Sequence, residues 1–141
     1  MKVSLRSILL FLYKNINFKL GALGGIVTAS WVYWLNSHHG FDEAIWASVK
    51  QFIYTILVGG TLTRIAEKVC VSSLLTRFQQ YALAIIIPTG ITFLLLSAVH
   101  FLKGTPEPLP TIIYTTLLAP LGFFIVALLT RHKLTHEESK P

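Results

Sequence analysis

The sequence predicts an all-α integral membrane protein with four transmembrane helices, arranged as two tandem helical hairpins. Four apolar stretches each have about the twenty residues that a helix needs to cross a bilayer. The chain is 53% hydrophobic and only 13% charged, so a soluble domain of 141 residues would expose more apolar surface than it could bury. Nine of the 12 lysines and arginines lie outside the stretches, which cover residues 18–36, 44–66, 81–102 and 109–130.

The N-terminal segment, residues 1–17, is predicted to be an amphipathic helix lying in the membrane interface. Leu5, Ile8 and Leu9 share one face, and basic side chains reach lipid headgroups from the other face. Continuation into the first span as one long helix is the alternative. The remaining segments are a first hairpin at 18–68, a cytoplasmic linker at 69–80, a second hairpin at 81–130 and a cytoplasmic tail at 131–141.

The basic residues predict the orientation of the spans. Of the 12 lysines and arginines, only Lys50 and Lys103 fall in the layer opposite the termini. Because basic residues are retained on the cytoplasmic side, both termini are predicted to be cytoplasmic in a plasma or inner membrane. The net charge of +6 therefore reflects basic residues concentrated on the cytoplasmic side, where they would contact anionic lipid headgroups. It does not indicate nucleic-acid binding.

Small residues recur on two faces of the first hairpin and indicate close helix packing. Such spacing removes the side-chain bulk that holds helix backbones apart, and it serves intramolecular packing or association with another subunit equally well. A homo-oligomer or a membrane-protein partner is therefore predicted. The packing positions are Gly21, Gly25 and Ala29 in the first span, with Thr55, Gly59 and Thr63 in the second.

A polar stripe is predicted along the second span. At 100° per residue, Lys50, Tyr54, Thr61 and Arg64 fall on one face. Intramembrane charges usually face a bundle interior or water, so the stripe would line a binding or transport path. The other interpretation is that Lys50 and Arg64 extend to opposite headgroup layers and bind nothing.

An ungapped shift of 60 residues pairs the two hairpins and predicts an internal repeat. It places Ile53, Tyr54 and Thr55 on Ile113, Tyr114 and Thr115, and Gly60 on Pro120. Since two-span units insert in one orientation, the repeats would be parallel, as in some transporters. Pro88 and Pro120 are predicted to kink the third and fourth spans, for packing or for gating.

Histidines are the candidates for metal or haem chemistry. His38, His39 and His100 are predicted at about the same outer depth, with Asp42 and Glu43 nearby. The water-exposed position at the end of the bundle favours interfacial histidines without a ligand, so no metal and no cofactor is predicted.

No HExxH, G-x-S-x-G or phosphate-binding glycine loop occurs in the sequence, and the single cysteine, Cys70, allows no internal disulfide.

Two classes of function follow from the sequence. The first is a non-enzymatic assembly or accessory module that packs with partner helices or self-associates. The second is a small oligomeric transporter or channel whose path is lined by the polar stripe. A lipid-active enzyme or a haem-binding membrane protein comes third.

Overall fold

The computed structural model describes residues 5–103 and 108–138, and these residues form helices and short turns without any strand. The predicted all-α class is confirmed. The chain divides into two compact units, Met1–Arg64 and Ile65–Pro141. The helices are α1 (Leu5–Asn15), α2 (Phe18–Asn36), α3 (Phe41–Tyr54), α4 (Gly60–Cys70), α5 (Arg77–Lys103) and α6 (Pro108–Glu138).

A two-residue break separates α1 from α2, so the two do not form one long helix. Ile16 is buried, and Asn17 begins α2 by accepting a hydrogen bond from the Leu20 backbone N–H at 3.1 Å through its side-chain oxygen. This bond satisfies one of the donors that a helix start leaves open. Phe11 and Tyr13 on α1 are exposed, and the side chains of the predicted apolar face at Leu5, Ile8 and Leu9 lie outside the described residues.

The second apolar stretch is helical throughout, but it is not the single α-helix predicted over 44–66. A π-helical segment, Thr55–Gly59, lies between α3 and α4. The adjacent pair Gly59 and Gly60 and the β-branched residues before it weaken the preference for α-helix. A π turn contains one extra residue, so everything after it is rotated by about 100° relative to an unbroken α-helix.

The second unit contains the end of α4, a turn, and the two long helices α5 and α6. Thr76 and Gln79 form a capping box at the start of α5: the Gln79 side chain accepts from the Thr76 N–H at 2.9 Å, and the Thr76 hydroxyl oxygen accepts from the Gln79 N–H at 3.4 Å. Pro88 lies fully buried within α5 and Pro120 lies within α6, and both helices continue through their proline. Helix α6 also runs past the predicted end of the fourth span, to Glu138.

Within the described residues, two helices, α5 and α6, are long and apolar enough to cross a membrane, over Arg77–Val99 and Ile112–His136. Only 17% and 22% of their most apolar windows are buried, which is unlike a core helix of a soluble protein. In the first hairpin, α3 and α4 are each shortened by the π segment, and glycines and polar residues lower the hydropathy of the 19-residue α2. The count of four spans therefore remains a prediction.

Candidate functional site

Two glycines of α2 bring its backbone into direct contact with the second helical stretch of the same hairpin. A Cβ atom built on Gly21 would lie 3.0 Å from the Ile56 carbonyl oxygen and 3.2 Å from the Gly60 Cα. One built on Gly25 would lie 2.8 Å from a ring carbon of Phe52. The predicted small-residue face is thus occupied within the chain, and Ala29, one turn further, is partly buried.

Gly60, and not the predicted Gly59, makes the close approach from the other side. A Cβ on Gly60 would lie 2.7 Å from an Ile16 side-chain carbon and 3.1 Å from the Asn17 carbonyl oxygen, whereas one on Gly59 would meet only Thr55 of its own segment. The prediction placed the packing residues four apart from Thr55, as on one face of an α-helix. The π segment has one extra residue in its turn, so the glycine at the contact is Gly60.

A hydrogen-bonded group of polar side chains joins α2 to the π segment. The hydroxyl oxygens of Thr28 and Thr55 are 3.0 Å apart, and the Gln51 side-chain amide donates to the Thr55 hydroxyl at 3.2 Å. The Thr28 hydroxyl is also 3.3 Å from the Gly25 carbonyl. These groups satisfy one another where a transmembrane hairpin would have no water, so they stabilise a specific register of the two helices.

The residues of the predicted polar stripe do not share one face, because the π segment lies between them. Lys50 is exposed and Tyr54 is partly buried before the segment; Thr61 and Arg64 are partly buried after it. The Thr61 hydroxyl donates to the Leu57 carbonyl of its own helix at 2.6 Å. The Tyr54 hydroxyl is buried and has no hydrogen-bond partner among the residues that the structure describes, an arrangement that favours a small polar ligand beside it.

Thr55, which was predicted to pack, is partly buried, and Thr63, also predicted to pack, is buried. A Cβ atom built on Gly24 of α2 would lie 3.7 Å from the Thr55 methyl carbon. Neither the contact of Gly60 nor the hydrogen bond from the Gln51 amide to Thr55 is predicted by the sequence patterns. The sequence signal for the π segment is the Gly59–Gly60 pair, which follows several β-branched residues and weakens the α-helix locally.

Two of the predicted histidine candidates, His38 and His39, show no arrangement typical of a metal site. His38 and His39 are exposed in a single 3-10 turn, which ends at Gly40 with a φ of 109°. Among the residues that the structure describes, no three His, Cys, Asp or Glu side chains are grouped to hold a metal ion. The side chain of His100, the third predicted member, lies outside them.

The chain matches no family model, no curated protein and no solved structure.

Proposed function

We propose that this protein is a non-enzymatic assembly module of a membrane, with four transmembrane helices and both termini in the cytoplasm. The first hairpin is proposed to be the rigid part, because glycine contacts and the Thr28–Thr55 hydrogen bond hold its helices in one register. The second hairpin is proposed to carry the surface that meets a partner or a second copy of the chain.

One observation carries this assignment of roles. The glycines of α2 are covered by the chain itself, whereas a Cβ on Gly90 of α5 or Gly122 of α6 would meet nothing within 4 Å. Both positions are exposed and lie among large exposed apolar side chains such as Leu94 and Leu121. In a membrane, exposed glycines let the backbone of another helix approach closely.

Association is expected to depend on these two glycines. Gly90→Leu and Gly122→Leu place a bulky side chain where a partner helix would approach, so the association constant is expected to fall about tenfold for each, a difference of about 1.4 kcal/mol. The measurement is the mass distribution in mild detergent by sedimentation, together with any subunit that co-purifies.

Ser30→Leu is the matched control, because it adds similar bulk at an exposed position of α2, in the hairpin that is not proposed to meet a partner. It is expected to leave the distribution unchanged. A wild-type protein that is monomeric and carries no other subunit would contradict the assembly role.

The four-span topology predicts opposite sides for two exposed serines. Ser37 follows the first predicted span, and Ser73 lies in the linker between the hairpins. In a Cys70→Ser background, an impermeant thiol reagent added outside intact cells is expected to label Ser37→Cys and to spare Ser73→Cys until the cells are opened. Labelling of both cysteines, or of neither, would place the two serines on one side and leave α5 and α6 as the only spans.

The transporter or channel is kept as the second candidate. The observation that favours it is the buried Tyr54 hydroxyl next to the π segment, which has no hydrogen-bond partner in the described parts of the chain. π segments are often found at functional sites. Flux of small ions and anions into liposomes that contain the purified protein would separate this role from pure assembly.

A further inference from the structure

A cleft of about 320 Å³ lies between the first turns of α5 and the last turns of α6, within the second unit. Helix α5 contributes two residues and α6 contributes five. The lining residues are Arg77, Tyr81, Leu128, Arg131, His132, Leu134 and Thr135. None of the functions considered so far uses this cleft.

The charged groups of the cleft are cationic. Arg77 is exposed and Arg131 is partly buried, and each of the two helices contributes one of these arginines to the lining. No aspartate or glutamate is among the lining residues that the structure describes. Guanidinium groups present a planar set of donors that matches the oxygens of a phosphate, and two of them from different helices define a site of fixed width.

Polar and apolar side chains complete the lining. The Thr135 hydroxyl interacts with the His132 carbonyl oxygen at 2.9 Å, and the His132 ring packs against His136 with the ring centroids 4.5 Å apart. Leu128 and Leu134 supply apolar walls beside the charges. A ligand with an anionic group next to an apolar part would therefore contact both kinds of surface.

The position of the cleft along the helices indicates the same kind of ligand. The apolar window of α5 begins at Arg77, and that of α6 ends at His136, so the cleft lies where both windows end. If the two helices cross a membrane, as the proposed function requires, this is the depth of the phosphate groups of the cytoplasmic leaflet.

We propose that this cleft binds a phosphate-bearing anion, held by the guanidinium groups of Arg77 and Arg131. The two sources of that chemistry are the phosphodiester of an anionic lipid headgroup and free inorganic phosphate. The inference rests on the proposed function only for the depth of the cleft, because binding itself needs no partner subunit.

The test compares two double variants that remove the same charge from the same unit. Arg77→Gln with Arg131→Gln removes both cations of the cleft, whereas Lys68→Gln with Lys133→Gln removes two exposed cations that do not line it. Retention of phosphatidylglycerol and phosphatidylcholine by the purified full chain in neutral detergent is measured by native mass spectrometry. Thermal unfolding in the same detergent checks that both variants are folded.

The wild-type protein is expected to retain phosphatidylglycerol about tenfold better than phosphatidylcholine, as two charge-assisted contacts would produce after desolvation. The arginine pair is expected to lose this preference and the lysine pair to keep it. Should the glutamine variant fail to fold, Arg77→Lys with Arg131→Lys keeps the charge, loses the planar fork, and is expected to lose most of the preference.

Competition by millimolar inorganic phosphate separates the two sources. Displacement of the lipid would identify a site for the phosphate group itself, and retention would identify a site for the whole lipid headgroup. If both double variants lost the preference for phosphatidylglycerol equally, the preference would come from diffuse surface charge and the proposal would be overturned. A wild-type protein that does not prefer phosphatidylglycerol would overturn it as well. Association of subunits is measured on the glycine variants, so the two proposals fail separately.

Discussion

Gly21→Ala is expected to lower the free energy of unfolding by about 2 kcal/mol, within the range for overpacking a close contact. The added methyl group would lie 3.0 Å from the Ile56 carbonyl oxygen and 3.2 Å from the Gly60 Cα. Both neighbours are backbone atoms of a helix, so neither moves aside as a side chain would. The two helices must separate, which also stretches the Thr28–Thr55 hydrogen bond of 3.0 Å.

The measurement is reversible unfolding in mixed detergent, followed by circular dichroism. Gly24→Ala is the matched control on the same helix, because its methyl group would lie at an ordinary 3.7 Å from the Thr55 methyl carbon. It is expected to be neutral or slightly stabilising, since alanine favours a helix by up to about 1 kcal/mol over glycine. Equal destabilisation by both substitutions would show that the glycine contact does not hold the hairpin together.

Gly25→Ala is expected to have an intermediate effect. Its methyl group would lie 2.8 Å from a ring carbon of Phe52, but an aromatic side chain can rotate to relieve the contact. The Phe52 carbonyl oxygen, at 3.3 Å, limits that relief. The expected destabilisation therefore decreases in the order Gly21, Gly25, Gly24, according to the atoms that each added methyl group would meet. Spacing in the sequence does not distinguish the first two.

Cys70 is expected to react with a maleimide about a hundredfold more slowly than an exposed cysteine, because reaction requires a local opening that costs about 3 kcal/mol. Its side chain is fully buried, with the sulfur 3.5 Å from the Ala127 carbonyl oxygen of α6. Burial raises the pKa of the Cys70 thiol, and the charge of Arg131 offsets part of that rise. A smaller thiolate fraction at neutral pH slows the reaction further.

The matched control is Val71→Cys in a Cys70→Ser background, since Val71 is the next residue and is 44% exposed. Labelling is followed by mass in neutral detergent and again after unfolding, where both cysteines are expected to react alike. Because the Cys70 pKa is raised, its labelling rate is expected to keep increasing at a pH where that of the control has levelled off. Equal rates in the folded protein would show that the end of α4 is not packed against α6.

The positions of the helices follow from the sequence where apolar residues are continuous. The first predicted stretch, residues 18–36, has the same bounds as α2, because Asn17 is a helix-starting residue and the apolar pattern is unbroken up to Asn36. Thr76 and Gln79 likewise have the spacing of a capping box, although the third stretch was predicted to begin only at residue 81. The helix starts earlier because polar residues in its first turn are satisfied by the cap.

What the sequence by itself determined is the all-α class, the apolar stretches and the small residues of α2, since these depend on composition and on periodicity within one helix. What only the tertiary structure decided is the register of the second stretch. A π turn at Thr55–Gly59 is a local irregularity that becomes favourable when a neighbouring helix satisfies it. Here the Asn17 N–H donates to the Gly60 carbonyl at 3.0 Å, and Gly60 replaces Gly59 at the contact. The partners in such a contact are far apart in the chain, so no pattern within one helix could predict which glycine makes it.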